Sequence, residues 1–417
     1  MTYVPDGWRQ IRAKYLYRVV DERAGDDSLP LLAVSIHHGV VPRDSLTNDE
    51  PRADDLSGYK RCATGDVVIN RMRAFQGAVG VASQPGIVSP DYVVLRMVDG
   101  VDVRYFHHLF RSRWFVGEMT ARLRGIGSSD QGNVRTPRIN VEDFGAIVVA
   151  IPSPDEQREI AGFLDSETAR IDGLIERKRR MIDLVDERRR SVIDGLTVPK
   201  ALGGTADAAC DSPWPVTALK RSAAFFSDGD WIESPFITSD GMRLIQTGNV
   251  GEGEYREQGF RFISEETFAA LHCTEVFPKD VLISRLAGPV GCACLAPELG
   301  SRMIAAVDVA ILRPKPEVHA GFVVAYLSSA RHLAMAELLA RGTTMQRLSR
   351  SQVGDMPLPL PELAVQRDVA ERVATATATL RSVKSRLERQ IAFLREHRQA
   401  LITAAVTGER DVAKAIA

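Results

Sequence analysis

The residue sets that could do chemistry in this chain are few, and most fail on spacing. Pro154-Asp155 and Glu176-Arg177-Lys178 have the loose order of a metal-dependent nuclease core, whose carboxylates must converge on one cation. Both fall in one expected helix, some twenty residues or about 30 Å apart, too far to share a metal. His272-Cys273 and Cys292-Ala293-Cys294 offer soft ligands but lack the paired Cys-x-x-Cys spacing of a structural zinc site. There is no Gly-x-x-x-x-Gly-Lys-Ser/Thr loop for nucleotide phosphates and no Gly-x-Ser-x-Gly elbow. The eight histidines, including the pairs His37-His38 and His107-His108, have no matching carboxylate pattern. No metal site and no catalytic site is expected.

Basic, hydroxyl-rich stretches do recur. Seven arginines lie between Arg104 and Arg138 against Glu118 and Asp130, and four between Arg331 and Arg350 against Glu337. Each stretch carries a Gly-Ser/Thr-Ser/Thr-x-Gln element: Gly127-Ser128-Ser129-Asp130-Gln131 and Gly342-Thr343-Thr344-Met345-Gln346. Hydroxyls and backbone amides in a glycine turn can hold phosphate oxygens, and Gln and Arg can read purine edges in the major groove. Candidate nucleic-acid contacts are therefore Ser128, Ser129, Gln131, Arg135 and Arg138 in the first stretch, and Thr343, Thr344, Gln346, Arg347 and Arg350 in the second. Arg71 and Arg285, each at the end of an expected strand, complete the set.

The elements that must position these residues occur twice. Gly65-Asp66-Val67-Val68-Ile69-Asn70-Arg71 matches Lys279-Asp280-Val281-Leu282-Ile283-Ser284-Arg285, and Trp8 matches Trp214. Ile151-Pro152-Ser153-Pro154-Asp155-Glu156-Gln157 is echoed from Leu358 to Gln366, where two residues read as inserted before the glutamine, so an irregular helix start is expected there. Val192 to Val198 corresponds to Leu401 to Thr407, an offset of 209. A repeat near 200 residues means duplicated domains. Ser153 as cap acceptor, Pro154 at the first helical position and Glu156 three residues after the serine predict a long helix that stops before Pro199. Its heptad seam runs through Leu164, Thr168, Ile171, Ile175, Lys178, Ile182, Val185, Arg189, Val192 and Leu196. Adding 209 gives Val373, Thr377, Leu380, Lys384, Leu387, Ile391, Leu394, Arg398, Leu401 and Ala405, with an end near Gly408. The shared register predicts two helices paired in an antiparallel coiled coil.

Short β-rich runs at 67–70, 92–96, 147–149, 281–283 and 307–312, with helices at 104–123 and 319–340, make the rest α+β. The expected order is a globular domain at 1–152, a spacer helix at 153–198, a second domain at 199–360 and a second helix at 361–410. Ala201 to Ala208 reads as a linker.

With 417 residues the chain can hold two to three domains, each with a real core. Fifty-three basic against 54 acidic residues give a net charge of -1, so any pull toward nucleic acid is local. Five cysteines are too few and too odd for a disulfide framework. No apolar run approaches a membrane span and the N-terminus lacks a signal-peptide pattern, which predicts a cytoplasmic protein without a membrane partner.

Taken together, the Pro-Ser-Pro-Asp-Glu-Gln helix start, its copy after Leu358, the helix tails near Val198 and Val406 and the blocks at Asp66 and Asp280 resemble the specificity subunits of Type I restriction-modification systems. The resemblance covers essentially the whole chain. It implies two target-recognition domains alternating with two spacer helices, each domain reading half of a split sequence in double-stranded DNA. It also implies that the helices set the spacing and dock methyltransferase subunits, two being expected, with endonuclease and translocase subunits as further partners. The chain itself would be non-catalytic and hold no cofactor, S-adenosylmethionine belonging to the methyltransferase. One alternative is a fused methyltransferase or nuclease. Ser89-Pro90-Asp91-Tyr92 resembles an amino-methyltransferase Ser-Pro-Pro-Tyr, but its second proline is replaced and no glycine-rich loop precedes it. The other alternative is a coiled-coil scaffold with no nucleic-acid partner.

Overall fold

The computed structural model describes residues 4–25, 29–36, 39–47, 55–123, 138–197, 214–286, 288–341 and 346–410. The expected linker at 201–208 lies outside them. The chain groups into two compact units, one formed by 1–178 with 389–417 and the other by 179–388. Each unit holds one α+β domain, the first part of one long helix and the last part of the other.

The long helices are Pro154–Thr197 and Leu363–Val406, each of 44 residues, about 66 Å at 1.5 Å per residue. Ser153 caps the first: its Oγ accepts from the Glu156 N–H and its carbonyl from the Gln157 N–H. The Glu156 carboxylate does not fold back as in a full capping box; it accepts from the Trp8 indole N–H at 2.9 Å. After the second helix the chain turns at Gly408, whose φ of +75° suits glycine.

In the first unit Lys178 bonds Gln390 and Arg398 pairs with Asp172; in the second, Lys384 pairs with Asp186. From Asp172 to Asp186 the number on one helix rises by fourteen while its partner's falls from 398 to 384. The helices therefore pair antiparallel, in one register two heptads apart. Leu164, Ile171, Ile175, Leu387, Ile391 and Leu401 are buried, and Ile182, Val185, Val192, Leu380 and Leu394 are half-buried. Near the helix ends the apolar face turns from the partner helix to the domain: Ile193, not Val192, is the fully buried residue, packed in the second unit's core.

In the first unit a four-stranded antiparallel sheet runs in the order Tyr17–Val20, Val93–Met97, Val67–Ile69, Val79–Val81. Arg9–Arg12 pairs with Val148–Ile151, which brings the start of the domain beside the residues leading into the first long helix. The expected helix at 104–123 is two helices, Val103–Arg111 and Arg113–Thr120, because Ser112 accepts from the Phe115 N–H and caps a new start. Phe106, Phe110, Phe115 and Phe144 form a tilted and edge-on aromatic cluster with ring centroids 4.9–5.6 Å apart.

The second unit repeats the plan with a sheet ordered Ala223–Asp228, Val309–Pro314, Val281–Ser284, Ala293–Leu295. A further sheet runs Phe262–Ile263, Met242–Ile245, Met303–Ala305, Glu275–Val276, where the first unit has two shorter ones, Leu32–Ser35 with Gly39–Pro42 and Lys60–Cys62 with Gly86–Val88. Here too the expected helix at 319–340 breaks, into Ala320–Leu327 and Ala330–Leu339, with Ser329 capping the latter.

Two glutamines lock each domain to a helix. Gln157, 1% exposed, accepts from the Asp102 N–H at 3.0 Å and donates to the Pro152 carbonyl. Gln366, also 1% exposed, accepts from the His319 N–H at 2.8 Å and donates to the Pro361 carbonyl. Asp102 and His319 are the N-caps of matching small helices. The equivalence corrects the expected two-residue insertion: Pro152 to Gln157 and Pro361 to Gln366 are each five residues, and the 209 offset holds without a gap. The other helix's end closes the clamp. Thr403 Oγ1 accepts from the Arg113 N–H, and Asp194, 209 residues earlier, accepts from the Ala330 N–H at 2.7 Å.

These bonds make two predictions. Gln366→Ala strands the His319 N–H and the Pro361 carbonyl in a dry site, at about 1–3 kcal/mol per orphaned group; chemical denaturation should show a loss of about 2–4 kcal/mol, and Gln157→Ala the same. Burial pushes His332 down to about 4, while its Nε2 donates to the Gly291 carbonyl at 3.1 Å. With an ordinary value of 6.5 when unfolded, the unfolded chain binds the extra proton, so stability falls as pH drops from 6.5 toward 4, by up to about 1.4 kcal/mol per unit. His332→Gln keeps a donor without titrating, and melting curves across that range should be correspondingly flatter.

Candidate nucleic-acid interface

Each candidate surface starts where a central strand of the four-stranded sheet ends. Asp66 and Asp280 open those strands and are 2% and 3% exposed. Each takes a two-pronged bond from an arginine on the neighbouring strand: Arg96 at 2.8 Å on both oxygens, and Arg313 at 2.9 and 2.8 Å. The fork geometry fixes the strands' register, and removing one member would leave a buried carboxylate uncompensated. At the far ends of these strands stand Arg71 and Arg285.

The two arginines carry matching clasps. The Arg71 carbonyl accepts from the Ile139 N–H at 3.2 Å, and the Arg285 carbonyl from the Leu348 N–H at 2.9 Å. Arg138 and Arg347, immediately before those residues, are thus held at equivalent places, and both are exposed. The next helices follow at once. Val141–Gly145 begins after Asn140, and Arg350–Asp355 begins after Ser349, which forms a full capping box with Gln352. Arg350 is exposed at the first position of its helix and Gln346 is exposed beside Arg347.

Of the sequence candidates, the structure brings Arg285, Gln346, Arg347 and Arg350 together in the second unit, and Arg71 with Arg138 in the first. Ser128, Ser129, Gln131, Arg135, Thr343 and Thr344 lie outside the described residues. Arg71 and Arg285 are not surface groups. Half-buried Arg71 donates to the Ile139 carbonyl at 3.1 Å and the Asn140 side chain at 3.2 Å, holding the returning segment. Arg285 is 5% exposed; it donates to the Val307 carbonyl and lies 3.3 Å from Asp228 and 3.7 Å from Asp308. Burial lowers its pKa, opposed by Asp228. Both arginines support the site from beneath.

Sequence reasoning missed Asp228 and Asp308, which face this cluster, and Trp231, which is 71% exposed three residues after the Asp228 strand end. Neither acid has a local motif; only strand pairing brings 228, 285 and 308 to one sheet end. Among the described residues no group of three or more His, Cys, Asp or Glu side chains could hold a metal ion. Cys62, Cys273, Cys292 and Cys294 are buried free thiols, and burial pushes Cys292 and Cys294 up to about 12. Among the described residues no helix is long and apolar enough to cross a membrane.

No family model matches the chain. Its sequence is 22% identical over 176 residues to the Type I restriction enzyme EcoKI specificity subunit of Escherichia coli (strain K12), covering 42% of this chain and 38% of that protein. It is 30% identical over 135 residues to the EcoBI specificity subunit of Escherichia coli, covering 32% and 27% respectively. The matched segments thus span less than two fifths of these relatives. In fold, it superposes on a chain from a structure of a Type I restriction-modification system with a TM-score of 0.65 and 18% identity, covering 98% of this chain and all of that one. Partial sequence likeness and whole-chain likeness of fold agree with the repeated motifs: this chain is similar to the specificity subunits of Type I restriction enzymes.

Proposed function

We propose that this chain is the DNA-reading subunit of a Type I restriction-modification complex, without catalytic activity of its own. Each domain would read one half of a bipartite target in double-stranded DNA. The observation that carries this is the duplicated clasp, which sets Arg138 and Arg347 at equivalent places in domains whose other surface residues differ. Two non-identical readers require an asymmetric target, since identical ones would favour a symmetric site. The long helices would carry two methyltransferase subunits, which bind S-adenosylmethionine, and through them the endonuclease and translocase subunits. Exposed Met181, Leu184, Val383 and Phe393 on the helices give such partners an apolar foothold.

The deciding experiment is reconstitution with a candidate methyltransferase subunit, followed by mapping of methylated positions in DNA. The complex should methylate one bipartite sequence, and the pure chain should transfer no label from S-adenosylmethionine. Label transfer by the pure chain would overturn the non-catalytic reading and favour a fused methyltransferase.

Two further outcomes are expected. Arg138→Ala and Arg347→Ala should each weaken target binding by about 1–3 kcal/mol, the cost of a lost bidentate base contact, whereas Arg71→Ala should act through the stability of the segment it holds. Adding one heptad to both long helices, at matching points of the seam, lengthens each by about 10 Å, close to three base pairs. Methylation of a library of spacer lengths should shift its optimum to a longer spacer; an unchanged optimum in a folded, active variant would mean that the helices do not set the distance.

A further inference from the structure

Of the two exposed clasp arginines, Arg347 is paired with a carboxylate. Arg347 Nη2 lies 2.6 Å from Asp308 Oδ1, with the Arg347 side chain half exposed and that of Asp308 23% exposed. Asp308 immediately precedes the strand Val309–Pro314; with the two sheets aligned on Arg96 and Arg313, its counterpart in the first domain is the exposed Asp91. Asp308 is itself held: its backbone carbonyl accepts from the Arg285 N–H at 2.8 Å, and the buried Arg285 guanidinium is shared between Asp308 and Asp228. Arg347 is fixed at the backbone as well, by bridges to Leu286 and Arg341.

We propose that Asp308 is a positioning residue that restrains Arg347, withholding it from sequence-independent phosphate contacts while presenting it for base reading. This rests on the DNA-reading function above. An unrestrained arginine on a basic surface binds any phosphate, which adds affinity for every sequence and information about none. The contact is a charge pair, Asp308 Oδ1 making no hydrogen bond of good geometry, so the carboxylate restrains the guanidinium by charge while half of the side chain stays open to a base edge.

The test uses the full-length chain and a fluorescent duplex of random sequence, with affinity measured against salt. Asp308→Asn should tighten binding and steepen the slope of log affinity against log salt by about 0.9, the signature of one added phosphate contact. Asp228→Asn changes net charge identically and also faces Arg285, but does not touch Arg347, so it should keep the wild-type slope. Adding Arg347→Ala to Asp308→Asn should return the slope to wild type, and Asp308→Glu should preserve it. Asp308→Ser serves as a second variant if the asparagine form does not fold. A wild-type slope in the folded Asp308 variants, or an equal steepening in Asp228→Asn, would overturn the restraint. Absence of any salt-dependent duplex binding by the wild type would instead overturn the DNA-reading function itself.

Discussion

The arrangement depends on a pair of buried glutamines. A long helix standing beside an α+β domain gains little from apolar contact at its first turn, where backbone N–H groups are unpaired and solvent competes. Gln157 and Gln366 solve this by accepting from the N-cap N–H of a domain helix while donating to the carbonyl that precedes their own helix. A glutamine can do both at once because its amide has separate donor and acceptor atoms; glutamate would lose the donor and leucine both. The bond therefore fixes helix direction relative to the domain. Thr403 and Asp194 repeat the restraint from the helix that arrives from the other half. Each domain is held by the beginning of one helix and the end of the other, which is why the compact units cut both helices at mid-length instead of separating helices from domains.

Charge is divided between holding and reading. The Asp66–Arg96 and Asp280–Arg313 forks and the buried Arg285 consume cations on internal partners, at positions where desolvation makes an unpaired charge costly. Arg138, Arg347 and Arg350 are exposed. The near-zero net charge is thus compatible with a local basic surface. Counting arginines within a stretch does not separate the two uses, because burial at a sheet end depends on residues of other strands, such as Asp228 and Asp308 around Arg285.

The long helices were legible because their signals are local: a serine cap followed by proline, heptads with apolar residues, and a glycine after the end. The repeat offset was legible for the same reason, since like positions carry like residues in both seams, Thr168 and Thr377 even making the same i−4 hydroxyl bond to Leu164 and Val373. The second helix start is not legible in the same way: its equivalence to the first lies in the glutamine's two bonds, which no pattern of hydrophobicity reports. A strict 3.5-residue period points to Val192 and not to Ile193 because it ignores the drift of an ordinary helix by about 20° per heptad. Near its end that helix packs on a domain core and no longer needs the seam. The serine breaks at 112 and 329 carried the usual cap signal, overlooked inside an otherwise continuous apolar pattern. Arg71 and Arg285 were correctly placed at strand ends, but their burial was not legible, since the acids and carbonyls that bury them come from other strands.

The two halves have kept the framework and changed the surface. Shared elements are those whose partners are backbone or buried: the aspartate-arginine fork, the clasp after Arg71 and Arg285, the glutamine lock and the opposite-helix cap. Differences gather where side chains meet solvent: Val141 against Arg350, and exposed Trp231 and Phe260 in the second half. Under the proposed DNA-reading function, a duplicated reader of two different half-sites would face this constraint, because its framework would have to present equivalent points to a helical ladder of constant geometry while the groups at those points specify different bases. Framework residues are then tied by bonds that tolerate no substitution without an orphaned partner, and reading residues are left with few internal bonds. Restraint of a single exposed arginine by a carboxylate is a small step between these two classes, in which a surface group acquires part of the order of the core without losing access to solvent.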